Sequence, residues 1–599
     1  MKTTRPSPIK PKIAKQNFGF KWLKFLLIIV ITIGIIFRFT NLDKKIYWDD
    51  EIFSSLRVSG FTSQEVGQQL RDRIVGVKEL QNYQYPNPEK TAFDTINGLA
   101  EEEPQLPPLY FLLTRFWVQI LGNSVAITRS LSAVFNVLTI IVTYWLVQEL
   151  FKSPLVGWIA MALMAVSPFH LLYGQAARQY SLWGLMTILS CLALLRARRL
   201  NNLLNWGFYR ITIALGLYTL PLFLLVTVGH GIYIIAIENF QLNKTVKNYL
   251  VSLIVGLLAF TPWVMLTLFE VGNLQETTSW LQYGFENGIP ELVFNWLRHI
   301  ARLFIDLESN YKFDYTNPFP YIIPVIAIVT LTLYSVYFLC DRTNKESWLF
   351  ILSLIGATVL PLIFLDLVLG GKRSGITRYL VPSYLGLQIS VAYFLATQLV
   401  PNSIAFWKQQ FWKLLTLALL SIGILSYANI STAPVWWNNG VSKIGQIADI
   451  TPLVNQKKNP LIISDAGWVD LVALSYNLKP NVKYELVSRE TFSQMPEGFS
   501  DYFLYKPSES FKAELQEKGY QIQPSSRFNT SWLWKLTQKK GRETVDLGIL
   551  PAFLTFNYFF SAIGSLHNLM LKLLSGIRLL HSKRLNFWCG ISRSGLSRY

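Results

Sequence analysis

Three adjacent acidic residues, Asp49, Asp50 and Glu51, follow two aromatic residues in the N-terminal part of the chain. A carboxylate can take a proton from an attacking nucleophile. Carboxylates this close together also raise one another's proton affinity or attract a divalent cation. The alternative is an acidic turn or helix start, where acids are favourable in any case. The triplet is therefore a candidate for a general base or for a metal site.

A second set of residues has the chemistry of phosphate binding. Arg178 lies in the segment YGQAARQY, and the loop GGKRSGITR contains Lys372, Arg373 and Arg378. Guanidinium groups bind phosphate oxygens in pairs, and an ammonium group adds a point charge. The alternative is that these long side chains only reach the interface from the ends of membrane helices. We expect the four to act together on an anionic phosphate.

The elements that must position these residues are membrane helices. Of the 599 residues, 51% are apolar and 15% charged. Several runs reach the roughly 20 apolar residues that a helix needs to cross a bilayer. The clear cases are Leu250–Leu268, Tyr321–Leu339, Trp348–Leu369 and Leu414–Ile430. We predict a polytopic α-helical membrane protein with about 11 to 13 transmembrane helices.

The basic residues predict the orientation of these helices. The chain has 55 Lys and Arg against 36 Asp and Glu, a net charge of +19. Most of these charges fall in short loops, so we attribute the excess to orientation and expect no nucleic-acid binding. Residues 1–24 contain seven basic and no acidic residues and are predicted to be cytoplasmic.

Residues 41–124 then form the first outer loop, with the active-site acids and with juxtamembrane helices, provided that Pro107–Leu121 does not cross. The basic loop Gly370–Arg378 also falls outside, against the charge rule. An anionic substrate is the simplest reason for that exception.

The pattern changes after the last clear span. Short strands alternate with helices, with strands predicted at Asn459–Asp465, Val482–Val487 and Asp501–Tyr505. We predict a transmembrane domain over 25–430 and a small extracytoplasmic α/β domain over 431–540. Residues 541–599 are predicted to add a membrane segment with a basic tail, or a surface helix.

Four segments in this order resemble a known superfamily. They are WDDEIFSSLRVSG, LPPLYFLLTRFWVQILGNSVAITRSLSAVFNVLT, SPFHLLYGQAARQYSLWGLM and ITRYLVPSYLGL. Their order and spacing resemble the GT-C membrane glycosyltransferases of the protein mannosyltransferase and aminoarabinose transferase type. The resemblance implies a polyprenyl-phosphate-linked sugar as donor, inversion at the anomeric carbon and an extracytoplasmic active site. We expect the protein to lie in a bacterial inner membrane.

The resemblance also implies roles for individual residues. Asp50 is implied as the base or metal-organising acid, and Glu51 as its catalytic partner. Supporting positions are implied for Tyr110, Arg129, Tyr180 and Tyr379. We also expect Asp49, the first acid of the triplet, to support the site. The chain departs from the pattern at Gln105, Leu106, Ala176 and Leu220. These departures leave open whether Asp50 and Glu51 hold a divalent metal ion, and which sugar is moved.

The sequence thus predicts transfer of a sugar from a lipid-phosphate carrier to a lipid, glycan or protein acceptor. The rival from another class is a transporter or flippase, which would place ionisable groups near the bilayer midplane and show repeated halves. A degenerate, non-catalytic scaffold is the third alternative.

Overall fold

The computed structural model describes residues 18–285, 288–306, 319–400, 405–439, 441–487, 495–525 and 532–538. The chain divides into two compact units, Met1–Thr537 and Gln538–Tyr599. All the described residues except Gln538 belong to the first unit. The predicted membrane segment and tail over 541–599, and most of the basic N-terminus, lie outside the described residues.

Helices dominate the described residues. In chain order they are α1 (Phe18–Phe39), α2 (Asp49–Ser59), α3 (Ser63–Leu70), α4 (Val77–Gln81), α5 (Ala92–Glu102), α6 (Leu109–Leu121), α7 (Val125–Phe151), α8 (Pro154–Ala165), α9 (Pro168–Gly174), α10 (Tyr180–Leu200), α11 (Leu203–Thr219), α12 (Phe223–Ile237), α13 (Lys244–Phe269), α14 (Val271–Thr278), α15 (Gly288–Ala301), α16 (Phe319–Arg342), α17 (Lys345–Leu369), α18 (Val381–Leu399), α19 (Phe406–Thr432), α20 (Val441–Asn455), α21 (Trp468–Ser475) and α22 (Glu509–Glu517). The strands are β1 (Ile74–Gly76), β2 (Pro460–Ser464), β3 (Lys483–Leu486), β4 (Asp501–Tyr505), β5 (Tyr520–Pro524) and β6 (Leu533–Gln538).

The membrane class is confirmed. Within the described part of the chain, eight helices are long and apolar enough to cross a bilayer. A ninth is obtained if α8 and α9, which meet at a bend of 60°, count as one span. The four clear predicted spans lie in α13, α16, α17 and α19. The predicted number of about 11 to 13 transmembrane helices would be reached only if some of the shorter helices also crossed the bilayer.

Helices α2 to α6 lie within residues 41–124, where juxtamembrane helices are predicted. Helix α3 begins with a capping box, in which Thr62 and Glu65 satisfy each other's backbone amides. Helix α2 ends at Gly60, whose φ of 91° is open to glycine at little cost. Helix α6 has 13 residues, which gives a length of about 20 Å, less than the hydrocarbon thickness.

The described residues contain a six-stranded sheet with the strand order β1-β3-β2-β4-β6-β5, in which β2 to β6 follow the last membrane helix. Strand β2 is central and pairs in parallel with β3 and β4, while β6 runs antiparallel to β4. The predicted strands Asn459–Asp465, Val482–Val487 and Asp501–Tyr505 are confirmed as β2, β3 and β4. Strand β1 was not predicted. It lies in residues 41–124 and pairs antiparallel with β3, so this segment and the C-terminal region share one sheet.

Separate apolar cores hold these parts together. The largest core lies among the membrane helices. A second core joins α2 to α21 and to one face of the sheet, through Ile52, Leu471 and Tyr505 among others. A third lies on the opposite face of the sheet, where Phe511 and Leu515 of α22 pack. Helix α2, which carries the acidic triplet, is therefore fixed directly to the α/β region.

Candidate active site

Asp50 lies between two arginines from distant parts of the chain. Its Oδ2 atom is 3.9 Å from Nε of Arg178 and 3.4 Å from Nη1 of Arg378. Arg178 lies in the turn before α10, and Arg378 lies just before α18. The predicted acid and two of the predicted phosphate-binding residues thus meet in one place.

These three side chains lie close together, but not all of their polar atoms form hydrogen bonds. Oδ2 of Asp50, Nε of Arg178 and Nε of Arg378 are buried atoms that have no hydrogen-bond partner. The Asp50 side chain is nevertheless 25% exposed. A buried polar atom without a partner is costly, so this arrangement has unused capacity to bind a polar ligand.

Arg178 is held in place by the helix that carries Asp50. Its Nη1 donates to the backbone oxygen of Asp50 at 2.9 Å and to Oγ of Ser54 at 3.0 Å. Burial by itself would lower the pKa of the Arg178 guanidinium, but the carboxylate of Asp50 and the nearby Tyr180 raise it above its ordinary value. Arg178 therefore remains charged at any physiological pH.

Aromatic rings surround the two guanidinium groups. The Tyr180 ring lies 6.0 Å from Arg178 and 5.6 Å from Arg378. Trp280 and Tyr379 lie 5.7 and 5.9 Å from Arg378. Rings at this range attract the cations and limit the movement of their side chains.

Glu51, the neighbour of Asp50, is in a different environment. Its carboxylate forms a bidentate pair with Arg129, at 2.8 and 2.6 Å, and Oε1 also accepts the backbone N–H of Ala177 at 2.8 Å. Both side chains of the pair are only 1% exposed. Arg129 in turn donates to the backbone oxygens of Leu42 and Lys45. This network fixes the turn that precedes Arg178 against the start of α2.

The basic loop divides into two parts. Arg373 turns away from Asp50: its Nη1 pairs with Oδ1 of Asp366 at 3.2 Å, and Asp366 also accepts from Ser374. The Nζ atom of Lys372 lies 5.5 Å from the centre of the Trp280 ring, which Arg378 also contacts. Gly371 has a φ of 118°, and a Cβ atom there would lie 2.5 Å from the oxygen of Leu281. This glycine packs the loop against the protein rather than against a ligand.

The remaining predicted residues lie around this centre. The Tyr110 hydroxyl pairs with Ser132 at 2.9 Å, and Ser132 donates to the backbone oxygen of Arg178 at 3.3 Å. Tyr110 is therefore a support for the Arg178 turn. Asp49 lies in the first turn of α2 and acts electrostatically on Tyr505 in the α/β region.

The two acids do not fit a shared metal site in this arrangement. Both oxygens of Glu51 are taken by Arg129 and a backbone amide. Asp50 faces two guanidinium groups, whose positive charge would repel a cation. Among the described residues, no group of three His, Cys, Asp or Glu side chains could hold a metal ion.

Three residues of the site were missed by the sequence analysis. Ser54 lies four positions after Asp50, on the same face of α2, so helical periodicity could have found it. Asp366 is a lone acid within an apolar run, which is itself a functional signal. Trp280 lies in a 3-10 turn directly after α14, and no pattern in the sequence singled it out.

Part of the chain matches a family model. Residues 105–266 match the model described as dolichyl-phosphate-mannose-protein mannosyltransferase. This confirms the predicted resemblance to GT-C membrane glycosyltransferases over a segment that includes Arg129 and Arg178. A comparison with curated proteins finds no match.

Solved structures with similar chains include two enzymes. ArnT from Cupriavidus metallidurans in the apo state is 12% identical, with a TM-score of 0.48, covering 87% of this chain and 98% of ArnT. ArnT bound to undecaprenyl phosphate is 11% identical, with a TM-score of 0.44, covering 86% and 97%. The apo oligosaccharyltransferase of Archaeoglobus fulgidus is 12% identical, with a TM-score of 0.44 over 78% of this chain, which spans 65% of that enzyme.

Proposed function

We propose that this multi-pass membrane protein is a glycosyltransferase that moves a sugar from a polyprenyl-phosphate carrier to a hydroxyl group of a lipid, glycan or protein acceptor. In this proposal Asp50 is the general base, and Arg178 with Arg378 binds the donor phosphate. The observation that supports it most is the position of Asp50 Oδ2, 3.4 and 3.9 Å from two guanidinium groups, with no hydrogen bond of its own.

The charges of these groups suit a departing phosphate. Two arginines and one aspartate sum to a net charge of +1, and the neighbouring Glu51–Arg129 pair is neutral. The donor is a phosphate diester with one negative charge, and the phosphate that departs approaches two. Because this charge grows as the bond breaks, fixed guanidinium groups stabilise the transition state more than the bound donor.

The proposed step balances without a further reactant. The acceptor oxygen forms a bond to the anomeric carbon as the bond from that carbon to the phosphate oxygen breaks. The electron pair leaves with the phosphate, and the hydroxyl proton goes to the Asp50 carboxylate. Attack opposite the departing phosphate inverts the configuration. Glu51 is assigned a positioning role, because its oxygens are already bound.

We place this site at the extracytoplasmic face of a bacterial inner membrane. The basic N-terminal 24 residues support a cytoplasmic start. Lys372 adds a point charge near Arg378 through the shared ring of Trp280. In this arrangement 25–430 is the transmembrane domain and 431–540 the outer α/β domain.

The test uses the full chain in nanodiscs with a polyprenyl-phosphate-linked hexose or pentose and a membrane glycolipid and glycan extract. Released polyprenyl phosphate and transferred sugar are both measured. Asp50→Asn is expected to lower the rate by about 10²- to 10⁴-fold, the usual contribution of a general base, with thermal unfolding unchanged. Glu101→Gln, an exposed acid of the same outer loop, is the matched control.

Two results would contradict the proposal. One is full turnover by Asp50→Asn. The other is movement of the intact lipid-linked sugar across the bilayer without cleavage of its phosphate bond, which would indicate a flippase.

A further inference from the structure

The α/β region has a topological switch point next to the candidate active site. Strand β2 is followed by α21, which packs on one face of the sheet. Its neighbour β4 is followed by α22, which packs on the opposite face. In open sheets, ligands bind in the crevice at the carboxyl ends of strands where the connections diverge in this way. Here that crevice lies between the loops 465–467 and 506–508.

Charged and aromatic side chains converge at this crevice. The Nζ atom of Lys506 pairs with Oδ1 of Asp470 and lies 3.6 Å from the centre of the Trp532 ring. Lys506 has a φ of 48°, in a region that residues with a side chain seldom occupy. Asp470 is 27% exposed and Lys506 18%, so both are accessible to a ligand.

Tyr505 adds a buried hydroxyl to the same place. This tyrosine is fully buried, and its hydroxyl has no hydrogen-bond partner. Burial, with the carboxylates of Asp470 and Asp49, raises its pKa well above the ordinary value. The hydroxyl forms a hydrogen bond with neither carboxylate. Because this hydroxyl has no exposed surface, a ligand reaches it only by displacing the side chains that cover it, and the ligand then supplies the partner that the buried group lacks.

The first turn of helix α2 connects this crevice to the candidate active site around Asp50. Asp49 and Asp50 are successive residues, so their side chains diverge by about 100° around the helix. Asp50 faces Arg178, whereas Asp49 acts on Tyr505. The helix is fixed to the α/β region by the ring contact of Phe53 with Trp468, at 6.2 Å.

We propose that the crevice formed by Asp470, Tyr505, Lys506 and Trp532 binds the sugar portion of a glycan or glycolipid acceptor and presents its hydroxyl to Asp50. This inference rests on the proposed function.

The residue types in the crevice match a sugar. Carboxylates accept hydrogen bonds from sugar hydroxyls, ammonium and phenol groups donate them, and an indole covers the apolar face of a pyranose. An extended peptide would instead pair with a sheet edge, whereas this crevice lies at strand ends.

The test uses the full chain in nanodiscs and neutral trisaccharides, namely mannotriose, maltotriose and chitotriose, both free and lipid-linked. Binding is measured by calorimetry, and turnover with the same acceptors gives KM for acceptor and donor separately. Trp532→Ala and Asp470→Asn are each expected to raise the acceptor KM about tenfold, in keeping with loss of one good contact, without changing the donor KM. Asp501→Asn, at the opposite end of β4, is the matched control.

The outcomes separate this inference from the proposed function. Trisaccharide binding that weakens in Trp532→Ala but persists in Asp50→Asn supports acceptor binding in the crevice. If the wild-type protein shows that binding pattern but turns over no donor, the crevice is supported and only the proposed function fails. A lipid-linked probe that binds more tightly than the free one identifies a glycolipid acceptor. The inference is overturned if the wild type binds no trisaccharide, if both variants retain the wild-type acceptor KM, or if only a peptide acceptor is affected. Trp532→Ala leaves the Lys506–Asp470 pair in place and keeps the test valid should Asp470→Asn unfold.

Discussion

Asp50 and Glu51 are neighbours in sequence, yet they meet arginine in opposite ways. Glu51 and Arg129 are 1% exposed and joined by two short bonds. Asp50 is 25% exposed and lies 3.4 and 3.9 Å from two guanidinium groups without a bond to its Oδ2 atom. One pair is complete, and the other has room for a third group.

The difference shows how one chemistry can serve two purposes. Removing a charge from water is costly, and the cost is offset only when every lone pair and proton finds a partner. The Glu51–Arg129 pair meets that condition, and it joins the start of α2 to the turn before Arg178. The arginines around Asp50 do not meet it, so a phosphate can bind to them without first breaking a strong ion pair.

The strongest way to break this comparison is Glu51→Gln. Losing the carboxylate leaves Arg129 buried without its counter-charge, and we expect a loss of about 3–5 kcal/mol in stability. Thermal unfolding in detergent measures it, with Asp50→Asn as the partner variant, which should shift unfolding far less. If Glu51→Gln folds as stably as the wild type but loses turnover, then Glu51 has a catalytic role and the contrast is wrong.

A second prediction concerns Arg378, which lies next to Asp50 in the candidate active site. Arg378→Gln is expected to reduce turnover by about 10²-fold, because a preorganised donor to the departing phosphate is lost. Arg373→Gln is the matched change in the same loop, and it should have a smaller effect because Arg373 is paired with Asp366. The two variants are compared by the rate at which polyprenyl phosphate is released from the donor. Equal losses would show that the loop acts as a single phosphate-binding unit.

The smallest expected effect is a pH dependence of stability that comes from Lys45, next to the buried Glu51–Arg129 pair. Lys45 lies against the Glu51–Arg129 pair; burial and the charge of Arg129 lower its pKa to about 7, with Glu51 opposing the shift. Between pH 7 and 10 the unfolded chain therefore holds a proton that the folded chain lacks. Stability should rise with pH over that range, by up to about 1.4 kcal/mol per unit. Unfolding at several pH values measures this slope, and Lys45→Met should remove Lys45's contribution to it. An unchanged slope in the variant would mean that Lys45 is not the titrating group.

The membrane helices were predictable because hydropathy is a local property. Runs such as Trp348–Leu369 have no alternative to a helix in lipid, and α17 covers that run. The strands β2 and β4 had the length and flanking residues of buried strands. Strand β1 escaped notice because Ile74–Gly76 has three residues and no alternation, and only pairing with β3 makes it a strand.

The residue types of the candidate site were also predictable, and the charge pattern of the loops predicted one membrane face for the acids and the basic loop. Their division of labour was not. Asp50 and Glu51 differ little in chemistry, and nothing local says which of them will face Arg129. The same holds for Arg373 and Arg378, which lie five positions apart in one loop but pair with different acids.

The sequence by itself therefore determined the membrane class, the α/β region and the set of ionisable residues, because hydropathy, periodicity and residue type are carried by short stretches of chain. Only the tertiary structure decided which carboxylate is saturated and which is open, because that depends on contacts between residues more than 70 positions apart. It also decided that residues 41–124 and the C-terminal region share one sheet. Long-range packing sets both outcomes, and no local pattern encodes them.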